Sequence, residues 1–174
     1  MADDDYSTAI AVIFGTAGTI TLALYVMIVA WPLQTTLPEE TVWGYLGRHG
    51  DTAKRVWMAG TSITAAAVVG VFYWIIWEDP DPGVTALAGT IVFMTGAITW
   101  PIGILGGSLR IAQIGVVCAA AGNIVLLVFL VTMTSAPPLV IVAMVWSVIH
   151  HAVIDGLWAA LSPPGAALVA EALL

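Results

Sequence analysis

The sequence predicts an all-α integral membrane protein, a five-transmembrane-helix bundle with its N-terminus outside and its C-terminus in the cytosol. Of its 174 residues, 60% are hydrophobic and 9% are charged, against roughly 25% charged in ordinary soluble domains. Four long stretches contain no Asp, Glu, Lys or Arg: residues 6–38, 56–77, 82–109 and 111–154. A soluble domain of this size cannot bury so much uninterrupted apolar chain, so lipid is its predicted solvent.

Helix-breaking and charged residues divide the chain into spans of the roughly 20 residues that cross the hydrocarbon. The five predicted spans are residues 8–31, 52–77, 82–105, 109–134 and 138–161. Pro32 ends the first span, because its ring cannot continue a helix. Asp51 is the expected N-cap of the second span, which the acidic and proline-containing turn at residues 78–80 closes.

The boundaries of the other three spans follow from similar signals. Asp81 is expected to cap the third span, with Pro82 at its first helical position. The fourth span follows the Gly-Gly-Ser turn at residues 106–108. The uncharged run 111–154 is too long for one helix, and Pro137-Pro138 supplies the break that starts the fifth span.

The distribution of basic residues gives an independent check on five spans. The chain has four basic residues: Arg48, Lys54, Arg55 and Arg110. With five spans they all fall on one side, while the acidic N-terminus and the acidic turn after the second span fall on the other. The positive-inside rule then places the N-terminus outside and the C-terminus in the cytosol.

The long connection, residues 32–51, is predicted to lie at the cytosolic surface. Thr36 and Glu39 have the spacing of a capping box, and aromatic residues follow them. This pattern is typical of a short interfacial helix, although an irregular loop fits it equally well.

Stripes of small residues predict where helices approach closely. Gly15, Thr19 and Ala23 form such a stripe on the first span, and Gly103 lies near the end of the third. A third stripe runs along the fourth span through Gly115, Ala119 and Asn123. We expect these stripes to be packing contacts inside the bundle, with a homodimer face as the alternative.

The fifth span carries the densest group of polar and aromatic side chains: Trp146, Ser147, His150, His151, Asp155 and Trp158. Ser147, His151 and Asp155 are spaced by four residues, so an α-helix places them on one stripe. Trp146 and His150 lie on a neighbouring stripe. Asp155 is the only carboxylate within an apolar span, and ionisable groups at such depth are functional candidates.

The stripe of Ser147, His151 and Asp155 does not predict hydrolysis, because side chains stacked along one helix do not converge on a reacting atom. Adjacent histidines on an α-helix point about 100° apart, so His150 and His151 are not expected to share a metal ion. The net charge of −7 excludes a nucleic-acid partner, which needs basic patches. We therefore predict no catalytic residues, no metal site and no enzymatic activity.

His151 and Asp155 have several open interpretations. They fit a buried polar pair that fixes the fifth span against its neighbours, with Asp155 accepting a hydrogen bond one turn away. They also fit the lining of a cavity for a polar-headed hydrophobic ligand, or a proton relay. As a neutral imidazole, His151 or His150 could ligate the metal of a haem, another porphyrin or a chlorophyll.

Two further features favour an internal pocket. Pro101 follows Trp100 inside the third span, where it frees a carbonyl near Ala97 and is expected to kink the helix beside a large indole. Asn123 is the deepest amide in the fourth span and is expected to hydrogen bond across helices. The predicted ligand-binding residues are thus Trp100, Pro101, Asn123, Trp146, His151 and Asp155.

The topology, the tryptophan content and the segment from Trp100-Pro101 to Gly106 resemble the translocator protein family, also called tryptophan-rich sensory proteins. The resemblance implies a five-helix bundle that binds porphyrins, sterols or other hydrophobic molecules internally. The chain departs from the family pattern in its first loop and its fifth span. Only Trp100 and Pro101 are therefore carried over as pocket residues.

The sequence thus predicts a non-catalytic multi-pass membrane protein that binds a hydrophobic or tetrapyrrole-like small molecule within its bundle. Trp100 and His151 should then reach an internal pocket. The alternative is an accessory subunit of a larger photosynthetic or respiratory membrane complex. A channel or transporter is disfavoured, because no charged pathway or repeated half is visible.

Overall fold

The computed structural model describes residues 2–30, 51–78, 82–105 and 108–155. Within these residues the protein is entirely helical, as predicted. The helices are α1 (Ala2–Ala30), α2 (Asp51–Glu78), α3 (Gly83–Leu105), α4 (Leu109–Met133) and α5 (Pro138–Ile149). A π-helical turn, His150–Asp155, continues α5.

Among the described residues, four helices are long and apolar enough to cross a membrane: Thr8–Met27, Met58–Glu78, Gly83–Gly103 and Arg110–Met133. Each coincides with one of the first four predicted spans. A shorter apolar segment, Pro138–Ala152, begins where the fifth span was predicted to begin. The rest of that span, residues 156–161, and the predicted interfacial connection before Asp51 lie outside the described residues.

Three helix starts differ from the sequence prediction. Helix α1 begins at Ala2, six residues before the apolar stretch, since acidic residues are favourable in a first helical turn. Asp51 is the first residue of α2 and not the N-cap that was predicted, which would precede the helix. Pro82 precedes α3 instead of opening it, because Gly83 has a φ of +62° that glycine adopts without strain.

The helices form a closed ring. Helix α1 packs against α2, α2 against α5, α5 against α4, α4 against α3, and α3 back against α1. The fifth helix thus lies between the second and the fourth. Packed in this order, the helices surround a common interior.

The closest helix contact joins α3 and α4 through four glycines, here called the glycine seam: Gly96, Gly103, Gly115 and Gly122. A Cβ added at Gly96 would overlap the backbone of Ala119, and one added at Gly122 would overlap the backbone of Phe93. The two glycines on each helix are seven residues apart, so they return to the same face after two turns. The prediction that Gly103 and Gly115 are packing contacts is confirmed.

The prediction that the small-residue stripe of α1 packs inside the bundle is wrong. Thr19 and Ala23 are exposed, and only Gly15 is partly covered. Instead, α1 buries the face that holds Phe14, which packs on Phe72 of α2 with ring centroids 5.9 Å apart. The face of α1 that contacts the bundle is therefore rotated away from the predicted stripe.

Asn123 links α4 to α5. Its side-chain amide donates a hydrogen bond to Ser147 Oγ at 2.7 Å, and both side chains are fully buried. The prediction that Asn123 hydrogen bonds across helices is confirmed.

Candidate functional site

An internal cavity of about 80 Å³ lies inside the ring of helices. Every helix contributes to its wall: Tyr25 from α1, Val68 from α2, Trp100 from α3, Val116 from α4 and His151 from the π-helical turn. The cavity is partly open to the outside of the bundle. It is therefore a partly open pocket between the helices.

The cavity lies in one half of the bundle. Its wall uses the C-terminal parts of α1 and α3 and the N-terminal parts of α2 and α4. Successive helices run antiparallel, so these parts are at the same end. Arg55 and Arg110, both exposed, are in the first turns of α2 and α4 and mark that end.

The wall is mainly apolar. None of the described residues lining the cavity is Asp, Glu, Lys or Arg. Its polar side chains are four hydroxyls and two imidazoles: Thr21, Tyr25, Thr61, Thr64, His150 and His151. Such a surface suits a largely apolar molecule without a positive charge, because no carboxylate of the described lining would pair with a buried cation.

His150 is held from three directions. Its Nε2 lies 3.3 Å from Thr61 Oγ1, and its ring stacks on Trp146 at an interplanar angle of 27°. Gly60 of α2 lies beneath the imidazole, where an added Cβ would be 2.9 Å from His150 Nδ1. Trp146 is itself anchored, since its indole Nε1 donates to the Gly60 carbonyl at 3.4 Å.

Both histidines line the cavity from the π-helical turn. A π-helix has more residues per turn than an α-helix, so successive side chains diverge less. The ring centroids of His150 and His151 are 5.6 Å apart. His151 also lies beside Phe93, with ring centroids 6.2 Å apart.

The predicted site residues separate into three groups. Trp100, His150 and His151 line the cavity. Pro101 lies within α3 but outside the lining, although Ala97 one turn earlier belongs to it. Trp146 and Asn123 contact other helices rather than the cavity, and the side chain of Asp155 lies outside the described residues.

The Ser147–His151 stripe is divided in the structure. Ser147 Oγ accepts the Asn123 amide inside the α4–α5 contact, whereas His151 faces the cavity. In the described part of the chain, no group of three or more His, Cys, Asp or Glu residues is arranged to hold a metal ion.

Hydroxyl groups are the part of the site that sequence reasoning missed. Tyr25 and Ser62 share a 2.6 Å hydrogen bond between α1 and α2, and Thr21 Oγ1 bonds the Ala17 carbonyl at 2.8 Å. Thr64 is only 3% exposed, and its hydroxyl has no hydrogen-bond partner among the described residues. No sequence motif marks these positions, because threonines are scattered through the apolar helices.

Comparisons of this chain with protein-family models, curated proteins and solved structures found no match. Function is therefore argued from the chemistry and geometry of the cavity.

Proposed function

We propose that this chain is a non-catalytic multi-pass membrane protein that binds a small apolar molecule, or the end of an amphiphile, inside its helix bundle. The observation that carries the proposal is the cavity, which helices α1 to α4 and the π-helical turn line and which Trp100 and His151 both reach. The resemblance to translocator proteins supports the same kind of function through Trp100, which lines the cavity, and Pro101, which follows it in α3.

The volume of the cavity limits the size of the ligand. A tetrapyrrole macrocycle, such as a haem or a chlorophyll, would have to extend through the open side of this cavity. A ring or a short chain fits this volume, since one water needs roughly 10–15 Å³ on the same measure. The partial opening lets a longer tail continue out of the cavity, so an amphiphile inserted by one end also satisfies the geometry.

The expected orientation places this cavity in the cytosolic half of the bilayer. Arg55 and Arg110 are at the cavity end of the bundle, and basic residues concentrate on the cytosolic side of membrane proteins. A ligand would then exchange with the cytosolic leaflet, while the N-terminus lies outside.

Cysteine labelling tests this orientation. Asp5→Cys and Arg110→Cys, each made in a Cys118→Ser background, place one thiol at each end of the bundle. We expect a membrane-impermeant maleimide to label Asp5→Cys in intact cells and Arg110→Cys only after permeabilisation. Labelling of both variants in intact cells would contradict the proposed orientation. Labelling of Arg110→Cys alone in intact cells would show that the chain has the opposite orientation.

Photolabelling tests ligand binding directly. The full chain in lipid nanodiscs is irradiated with octanol carrying a diazirine, and the labelled residues are mapped by mass spectrometry. We expect labels on cavity residues such as Trp100 and His151 that unlabelled octanol reduces in a saturable manner. Labels on outward-facing residues should not saturate, because lipid-exposed sites are filled by simple partition.

A matched pair of variants on α3 separates the cavity from its surroundings. Ala97 lines the cavity and Ala88 is exposed on the same helix. Ala97→Phe should fill the cavity and reduce the saturable labelling at least tenfold, whereas Ala88→Phe should leave it unchanged. Saturable labelling that persists in Ala97→Phe would refute the cavity as the binding site.

A further inference from the structure

Thr64 stands apart from the other hydroxyls in the bundle. Seven serine and threonine hydroxyls, such as those of Ser62 and Thr90, donate to the carbonyl four residues earlier at 2.7–2.8 Å. This back-bond is the usual way in which a hydroxyl is satisfied within an apolar helix. Thr64 does not make it, although its side chain is 3% exposed.

The reason lies on the neighbouring helix. The carbonyl four residues before Thr64 belongs to Gly60, and a carbonyl oxygen has two lone pairs. The Thr64 amide takes one of them in the regular helical pattern. The indole of Trp146 takes the other at 3.4 Å, so the hydroxyl of Thr64 is left without its usual acceptor.

The remaining hydroxyls of the cavity wall are engaged with protein groups. Thr21 bonds the Ala17 carbonyl and also Met94 Sδ at 3.5 Å. Tyr25 bonds Ser62, and Thr61 pairs with His150. Thr64 is thus the hydroxyl in this wall that has no partner among the described residues.

We infer that the Thr64 hydroxyl hydrogen bonds the polar atom of the ligand and selects an uncharged oxygen, that of an alcohol or a carbonyl. This inference rests on the proposed function. Burial of a hydroxyl without a partner is unfavourable, and a hydrogen bond to a ligand oxygen removes that cost. An ammonium group is disfavoured, because no Asp or Glu among the described lining residues would balance its charge.

Two competitors of similar size test the inference in the photolabelling assay. Octanol offers an oxygen and nonane offers none. The concentration of each competitor in the nanodisc lipid is first corrected for its partition. On that corrected scale, we expect octanol to reduce labelling of the native chain roughly five- to tenfold more effectively than nonane. Thr64→Val keeps the shape of the side chain without the hydroxyl, and it should reduce this preference to about one.

A second pair of variants controls for folding. Thr64→Ser and Thr64→Ala differ by a single oxygen, so Thr64→Ser should keep the preference for octanol and Thr64→Ala should lose it. If both competitors act on the cavity but the preference survives in Thr64→Val and Thr64→Ala, the assignment of Thr64 is wrong while the proposed function stands. If neither competitor reduces labelling of the cavity in the native chain, the proposed function itself fails.

Discussion

Replacing Gly122 with alanine is expected to force α3 and α4 apart and to lower the free energy of unfolding by about 3 kcal/mol or more. The added methyl group would overlap the backbone of Phe93, and backbone atoms cannot move aside as a side chain can. The helices would have to separate along the whole glycine seam. Thermal unfolding of the purified chain in detergent, followed by circular dichroism, measures the loss.

Two other glycines serve as graded controls. An alanine Cβ at Gly89 would approach only the side chains of Leu126 and Val125, at 3.0 and 3.1 Å, and flexible side chains can adjust. Gly70 has nothing within 4 Å of an added Cβ. We expect a loss of about 1 kcal/mol for Gly89→Ala and no loss for Gly70→Ala, since alanine is the better helix former. Equal losses at all three positions would show that the seam is not tightly packed.

Gly60→Ala is expected to weaken octanol competition in the photolabelling assay at least tenfold, with a stability loss of about 1–3 kcal/mol. The new methyl group would lie 2.9 Å from His150 Nδ1. The imidazole cannot rotate freely away, because it stacks on Trp146 and pairs with Thr61. The His150 imidazole would have to move together with the Trp146 indole, and that movement would change the shape of the cavity wall.

Gly70→Ala is the matched control, because it places the same methyl group on an exposed position of the same helix. It should leave octanol competition unchanged. If Gly60→Ala also leaves competition intact while lowering stability, then the packing of His150 contributes to folding and not to the binding site.

The course of the helices was predictable from the sequence because the signals are local. Apolar length and charge placement located the four long spans, and Ser108 and Pro138 marked the starts of α4 and α5. The contact of Asn123 across helices was also predictable, since a deep amide in an apolar helix needs a partner. Each of these conclusions depends on residues within one span.

The site itself depends on contacts between spans that the sequence does not encode locally. Thr64 is left unsatisfied by a hydrogen bond from Trp146 to Gly60, two residues that are 86 positions apart. The π-helical turn from which both histidines line the cavity has no signature of its own in the sequence. The rotation of α1 was mispredicted for a similar reason, since the contact of Phe14 with Phe72 of another helix is not visible within the sequence of α1 alone.

The order of helices around the ring has a consequence for biogenesis. Helix α5 is synthesised after the other four, yet it sits between α2 and α4 and completes the wall that carries both imidazoles. Until α5 is synthesised, the gap between α2 and α4 has no helix to fill it. Closure of the cavity wall therefore has to follow the synthesis of α5, even though the other four helices precede it in the chain.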